Sequence, residues 1–146
     1  MVKQKPDLVV SGADGIPQLT VEVKNPKEMT LETAEDFFKN VAPYLASYSP
    51  YVMLVSESQG FIWRQNALNG RSEPQVFSMQ QILCRYAGTM PHGRRLRGSE
   101  LEILVWRWLT DLTRRSIDKS QVPVPAPLQE LLPAITGGSV QMDGGD

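Results

Sequence analysis

The chain has a single cysteine and a single histidine among 146 residues, and its charges nearly cancel, to a formal net of −1. Cys84 has no second cysteine with which to form an internal disulfide, which fits a reducing compartment. The near-neutral balance removes the overall basic signature of many nucleic-acid binders. No apolar run approaches the roughly 20 residues that a membrane span requires. The opening "MVKQKPD" lacks the apolar centre of a signal peptide. These absences set the expectation of a cytoplasmic protein with no membrane partner. There is no internal repeat and no G-x-x-x-x-G-K phosphate loop, so Gly12 and Gly15 are read as turn residues. The lone His92 reads as a surface residue of a basic loop rather than as a general base.

What is present suits one domain with one modest core, since 41% of the residues are apolar. Leu8-Val9-Val10 is a short β-rich run, and Asp14-Gly15 is a strong hairpin-turn pair. Leu19, Val21 and Val23 then alternate with Thr20, Glu22 and Lys24, the pattern of a strand with two distinct faces. Thr30 is a good N-cap for a helix whose stripe is Ala34, Phe38, Val41, Leu45 and Tyr48, and Pro43 should kink or split it. "YVMLVS" reads as a strand buried on both faces, and "FIWRQ" as a shorter strand. Ser78 with Gln81 predicts a capping box for a helix in which Cys84 packs beside Ile82, Leu83 and Tyr86. Ser99 with Glu102 predicts a second box, for a last long helix with a wide apolar face; Trp106 and Trp108 are read as packing residues there.

The expected architecture is therefore α/β: a small mixed β-sheet with an antiparallel hairpin, flanked by helices. It occupies residues 1–120, with C-terminal helices over 79–116. Residues 121–146, from "VPVPAP" onward, are read as a proline-rich linker and a mobile tail, with one or two helical turns in "LQELLPAI".

With Asp14-Gly15 at the centre of the turn, antiparallel pairing sets Asp7 opposite Glu22. Directly opposed residues have Cβ atoms roughly 4.5–5.5 Å apart, so the two carboxylates repel unless a counter-charge lies between them. A divalent cation would relieve that repulsion, and Lys24 shares the face of Glu22. Two oxygen-rich ligands with the Val23 backbone carbonyl can hold Mg²⁺ or Mn²⁺, which keeps several waters and meets a substrate phosphate. A nearby lysine can orient the attacking water or stabilise developing charge. The three side chains are expected on one side of the hairpin, in a concave, solvent-reachable site.

Pro6-Asp7, followed after fourteen residues by Glu22-Val23-Lys24, resembles the PD-(D/E)XK motif of the restriction-endonuclease-like nuclease superfamily. The following helix and buried strand extend the resemblance over about residues 6–64. It implies a restriction-endonuclease-like core, with Asp7 and Glu22 as metal ligands, Lys24 assisting the water, and metal-dependent hydrolysis of DNA or, as a lesser case, RNA. Many such nucleases cut duplexes as dimers, so a homodimer is implied as well. The sequence departs from the family in that its usual opening helix, often acidic, is missing or replaced. The helix starting near Glu100 is a candidate replacement, by something like circular permutation, and would bring Glu100 and Glu102 to the site. Arg94, Arg95 and Arg97 of the basic loop are candidate phosphate contacts, since arginine suits bidentate binding. The rival expectation is a non-catalytic nucleic-acid-binding or interaction module on the same fold.

Overall fold

The structure, a computed structural model, describes residues 6–24, 29–45, 49–64, 74–87, 96–115 and 121–142, and of 41–45 the backbone. Strands β1 (Leu8–Ser11) and β2 (Pro17–Val23) form the hairpin. Helix α1 (Leu31–Leu45) carries the chain across to β3 (Tyr51–Val55), which pairs parallel to β2. Strands β4 (Gln59–Arg64) and β5 (Gln75–Ser78) continue the sheet antiparallel. Helices α2 (Gln80–Tyr86), α3 (Gly98–Leu112), α4 (Ala126–Gln129) and α5 (Leu132–Ile135) follow. Strand β6 (Ser139–Met142) returns to pair antiparallel with β1. The result is a mixed six-stranded sheet in the order β5-β4-β3-β2-β1-β6, with helices on both faces.

Alternation assigns the two faces. Leu8, Val10, Leu19, Val21, Met53, Ile62 and Phe77 turn to one side, where α3 buries Leu101, Val105, Trp108 and Leu109. The Trp108 indole N–H, which would otherwise be orphaned in that core, donates to the Pro123 carbonyl at 2.9 Å. Leu54, Phe61 and Trp63 turn to the other side, where α1 supplies Ala34, and Phe38 stacks on Trp63 with ring centroids 4.7 Å apart. Thr30 caps α1, its hydroxyl accepting the Thr33 N–H at 3.1 Å. The helix continues past Pro43 to Leu45, since a proline in the last turn removes only one late backbone bond.

Several readings of the sequence are corrected. The helical turns expected in "LQELLPAI" form, but residues 121–142 are no linker and tail: Leu128, Leu131, Leu132 and Ile135 lie in the core and a sixth strand follows; residues 143–146 lie outside the described residues. Strand β5 escapes notice because only Phe77 of its four residues is buried, and β6 because only Val140 of its four is even partly buried. Helix α2 turns Met79 and Ile82 inward and leaves Cys84 exposed. Neither expected capping box forms. The Ser78 hydroxyl accepts the Gln80 N–H, and α3 starts earlier, with the Glu100 carboxylate accepting the Arg97 N–H at 2.8 Å.

The seating of β6 gives a direct test. A Cβ on Gly138 would fall onto the Ser11 carbonyl oxygen. Gly138→Ala is expected to push β6 off β1, destabilising the fold by roughly 1–3 kcal/mol as overpacked sites do. Amide exchange at Gln141, whose partner in β1 is Val9, should accelerate while that of β3 holds; unchanged protection of Gln141 would refute the contact.

Candidate metal-dependent active site

The register that opposes Asp7 to Glu22 is reached by two departures that cancel. The loop is not a two-residue turn on Asp14-Gly15. The Gly15 N–H donates to the Gly12 carbonyl and the Gly12 N–H to the Ile16 carbonyl, enclosing a three-residue loop with Gly15 at φ +82°. Only glycine holds that left-handed conformation without strain. The loop alone would shift the pairing by one residue, as Ser11 opposite Pro17 records. Beyond it Val10 pairs with Leu19, so Gln18 is the extra residue of a bulge, and the shift is undone. Val9 opposite Thr20 and Leu8 opposite Val21 follow, and the ladder points on to Asp7 and Glu22. An even number of register errors leaves every side chain on its intended face.

Asp7 lies just before β1, half-buried, and its Oδ2 accepts the Val23 N–H at 2.8 Å. Glu22 stands in β2 on the α1 face, in register with Leu54 of β3, and is only 4% exposed. Lys24 follows the strand, its N–H donating to the Val55 carbonyl at 2.9 Å. The Lys24 ammonium is 3.9 Å from Glu22 Oε2, and its side chain is 60% exposed. The site is thus more enclosed than the sequence suggests, with its open side at Lys24. A groove of about 590 Å³ does occur at the same end of the sheet, but it is lined by Met29, Thr30, Ser58, Gln59, Val76, Phe77 and Ser78 rather than by the two acids.

Electrostatics distinguish Glu22 from an ordinary strand residue. Burial and the neighbouring Asp7 carboxylate push its carboxyl up to about 7, against the pull of the Lys24 charge and of the Asp7 backbone N–H. Its Oε1 is buried and has no hydrogen-bond partner among the described residues. Such an orphaned carboxylate oxygen is costly unless a proton or a cation satisfies it. The sequence candidates Glu100 and Glu102 separate. Glu100 closes the N-terminus of α3, while Glu102, freed from the capping role assigned to it, is raised in pKa by burial and then by the charge of Asp7, and adds weakly to that of Glu22. Three acids therefore act on one another around Asp7 at the end of the sheet, with Lys24 as counter-charge. Among the described residues no three His, Cys, Asp or Glu side chains are placed to ligate one ion together. The donor set is two carboxylates and the Val23 carbonyl, which suits a hard cation that keeps its waters. Arg97 heads α3 with its side chain exposed; Arg94, Arg95 and His92 lie outside the described residues.

Compared with models of protein families, with curated proteins and with solved structures, the chain finds no match. Among the described residues no helix is long and apolar enough to cross a membrane.

Proposed function

We propose that the chain is a divalent-metal-dependent nuclease of the restriction-endonuclease-like kind, hydrolysing phosphodiester bonds of DNA. The observation that carries the reading is the Glu22 carboxylate: buried, unsatisfied at Oε1, acted on by the charge and backbone N–H of Asp7, and beside an exposed lysine. Asp7 and Glu22, with the Val23 carbonyl, would hold Mg²⁺ or Mn²⁺. When bound, such an ion lowers the pKa of water and polarises a phosphoryl oxygen. Asp7 is oriented by the Val23 N–H, which fixes one carboxylate oxygen. Lys24 presents its ammonium to solvent, where it can donate to the attacking water and to the charge developing on phosphate. Glu102 adds negative potential from α3, which favours a cation at Asp7. The position of the site at the carboxyl ends of the parallel pair β2 and β3 agrees with the general placement of ligands in open α/β sheets.

Calorimetry with Mg²⁺ at pH 7, repeated in buffers of different ionisation enthalpy, tests this. A carboxyl with a pKa of about 7 is half-protonated there, so binding should release about half a proton. Asp7→Asn should abolish most of the binding, and the parent chain with Mg²⁺ should cleave duplex DNA. The rival reading, a non-catalytic binding module, is favoured by the enclosure of Glu22. Metal binding that leaves all DNA and RNA intact would select it. No divalent binding at millimolar concentration would remove the catalytic site.

A further inference from the structure

On the outer side of α2 and α3, away from the acids, the fold assembles a basic surface that is dispersed in the sequence. The Tyr86 hydroxyl donates to Asp111 Oδ2 at 2.6 Å, joining the two helices. Arg114 meets the other oxygen, Oδ1, at 3.5 Å. The Arg107 guanidinium lies over the Tyr86 ring, 5.9 Å from its centroid, a cation–π geometry. The charges of Arg85 and Arg107 both act on the Tyr86 hydroxyl, which burial and Asp111 keep protonated. Both oxygens of Asp111 are thus engaged by Tyr86 and Arg114. Among the described residues no carboxylate forms an ion pair with Arg85 or Arg107. Arg85, Arg107 and Arg114 are all exposed, and Arg115 lies beside them in sequence, packed near Gly137.

Helix α1, on the opposite face of the sheet, is acidic over its described side chains. It exposes Glu32, Glu35 and Asp36 against Lys39. In a chain of net charge −1, this polarity directs a polyanion to the α2 and α3 side. We propose that Arg85, Arg107 and Arg114, arranged around the Tyr86–Asp111 pair, hold the phosphate backbone of duplex DNA. Arginine's planar fork suits such contacts. The Arg114–Asp111 pair is a surface pair of the weakly held kind, so Arg114 can exchange Asp111 for phosphate.

This inference rests on the nuclease reading for the nature of the polyanion, and its test is kept separate from cleavage. Binding of a 20-base-pair duplex is measured over a salt series in EDTA, for the parent chain and for the triple variant Arg85→Gln, Arg107→Gln, Arg114→Gln. Each lost phosphate contact should lower the log–log salt slope by roughly 0.9, so roughly 2.7 for three. Should the triple variant fail to fold, the double variant Arg85→Gln, Arg114→Gln, which leaves the stacked Arg107 in place, should lose roughly 1.8. An unchanged slope overturns the surface; if the parent chain cleaves DNA, the nuclease reading survives it. A reduced slope with no cleavage under any metal keeps the surface and removes the nuclease reading. No duplex binding by the parent chain, or a slope change confined to duplex RNA, overturns the proposal.

Discussion

Lys24→Ala is expected to bind Mg²⁺ nearly as the parent chain does and to cleave duplex DNA more slowly by roughly 10²–10³-fold, the usual effect of removing a preorganised electrostatic group. Its ammonium lies 3.9 Å from Glu22 Oε2 and is 60% exposed, so it can reach water and phosphate while anchored at the acids. The loss should fall mainly on kcat, because the lysine acts on charge that develops in the transition state. Lys24→Arg should restore little, since a planar fork does not reproduce a compact ammonium donor. Removing Lys24 also removes a charge that lowers the Glu22 pKa, so metal binding by the alanine variant should need a slightly higher pH. Cleavage within tenfold of the parent would exclude the assigned role.

Glu22→Gln should abolish metal binding and yet make the metal-free protein more stable at pH 8. The Glu22 carboxyl is pushed up to about 7 in the folded chain, from an ordinary value of 4.5. A folded state with the higher pKa binds the proton more tightly than the unfolded chain does. The contribution to stability is therefore full below about pH 4.5 and is lost as the pH rises through about 7. The difference of about 2.5 units corresponds to a penalty on the order of 3 kcal/mol for holding the ionised group in its site. Glutamine keeps the shape without the charge, so at pH 8 in EDTA the variant should melt higher by roughly 10 °C, at several degrees per kcal/mol for a chain of this size. At pH 4 the parent and variant should differ little. Equal shifts at both pH values would show that ionisation of Glu22 is not the cause.

The candidate site was legible because strand periodicity is a local property. Alternation in "LTVEVK" fixes which side chains share a face whatever packs upon them, and the hairpin keeps Asp7 within reach of Glu22. Even so, the turn was placed one residue off, and only the bulge at Gln18 restored the expected pairing. Helix caps were less legible. Ser99 and Glu102 match a capping box, but α3 begins at Gly98 with Glu100 bonded to the Arg97 N–H, and Glu102 instead feels the charge of Asp7. Spacing in α3 could have disclosed the basic surface: Arg107, Asp111 and Arg114 recur at intervals of four and three, one stripe of a helix and its cap.

The sequence by itself determined the hairpin, the two faces of β2, the buried central strand β3, the capped helix α1 between them and the amphipathic α3, because each follows from a period of two or 3.6 residues and a local cap. Only the tertiary structure decided that "SVQM" closes the sheet beside β1, that "QVFS" extends it beyond β4, and that α3 brings Glu102 to the hairpin while Tyr86 and Asp111 gather arginines from two helices. Those outcomes depend on backbone pairing at sheet edges and on contacts between residues far apart in the chain. Neither leaves a periodic trace. The burial that raises the Glu22 pKa is of the same kind: the carboxylate is set by the strand, but its desolvation comes from the strands and helices that close around it.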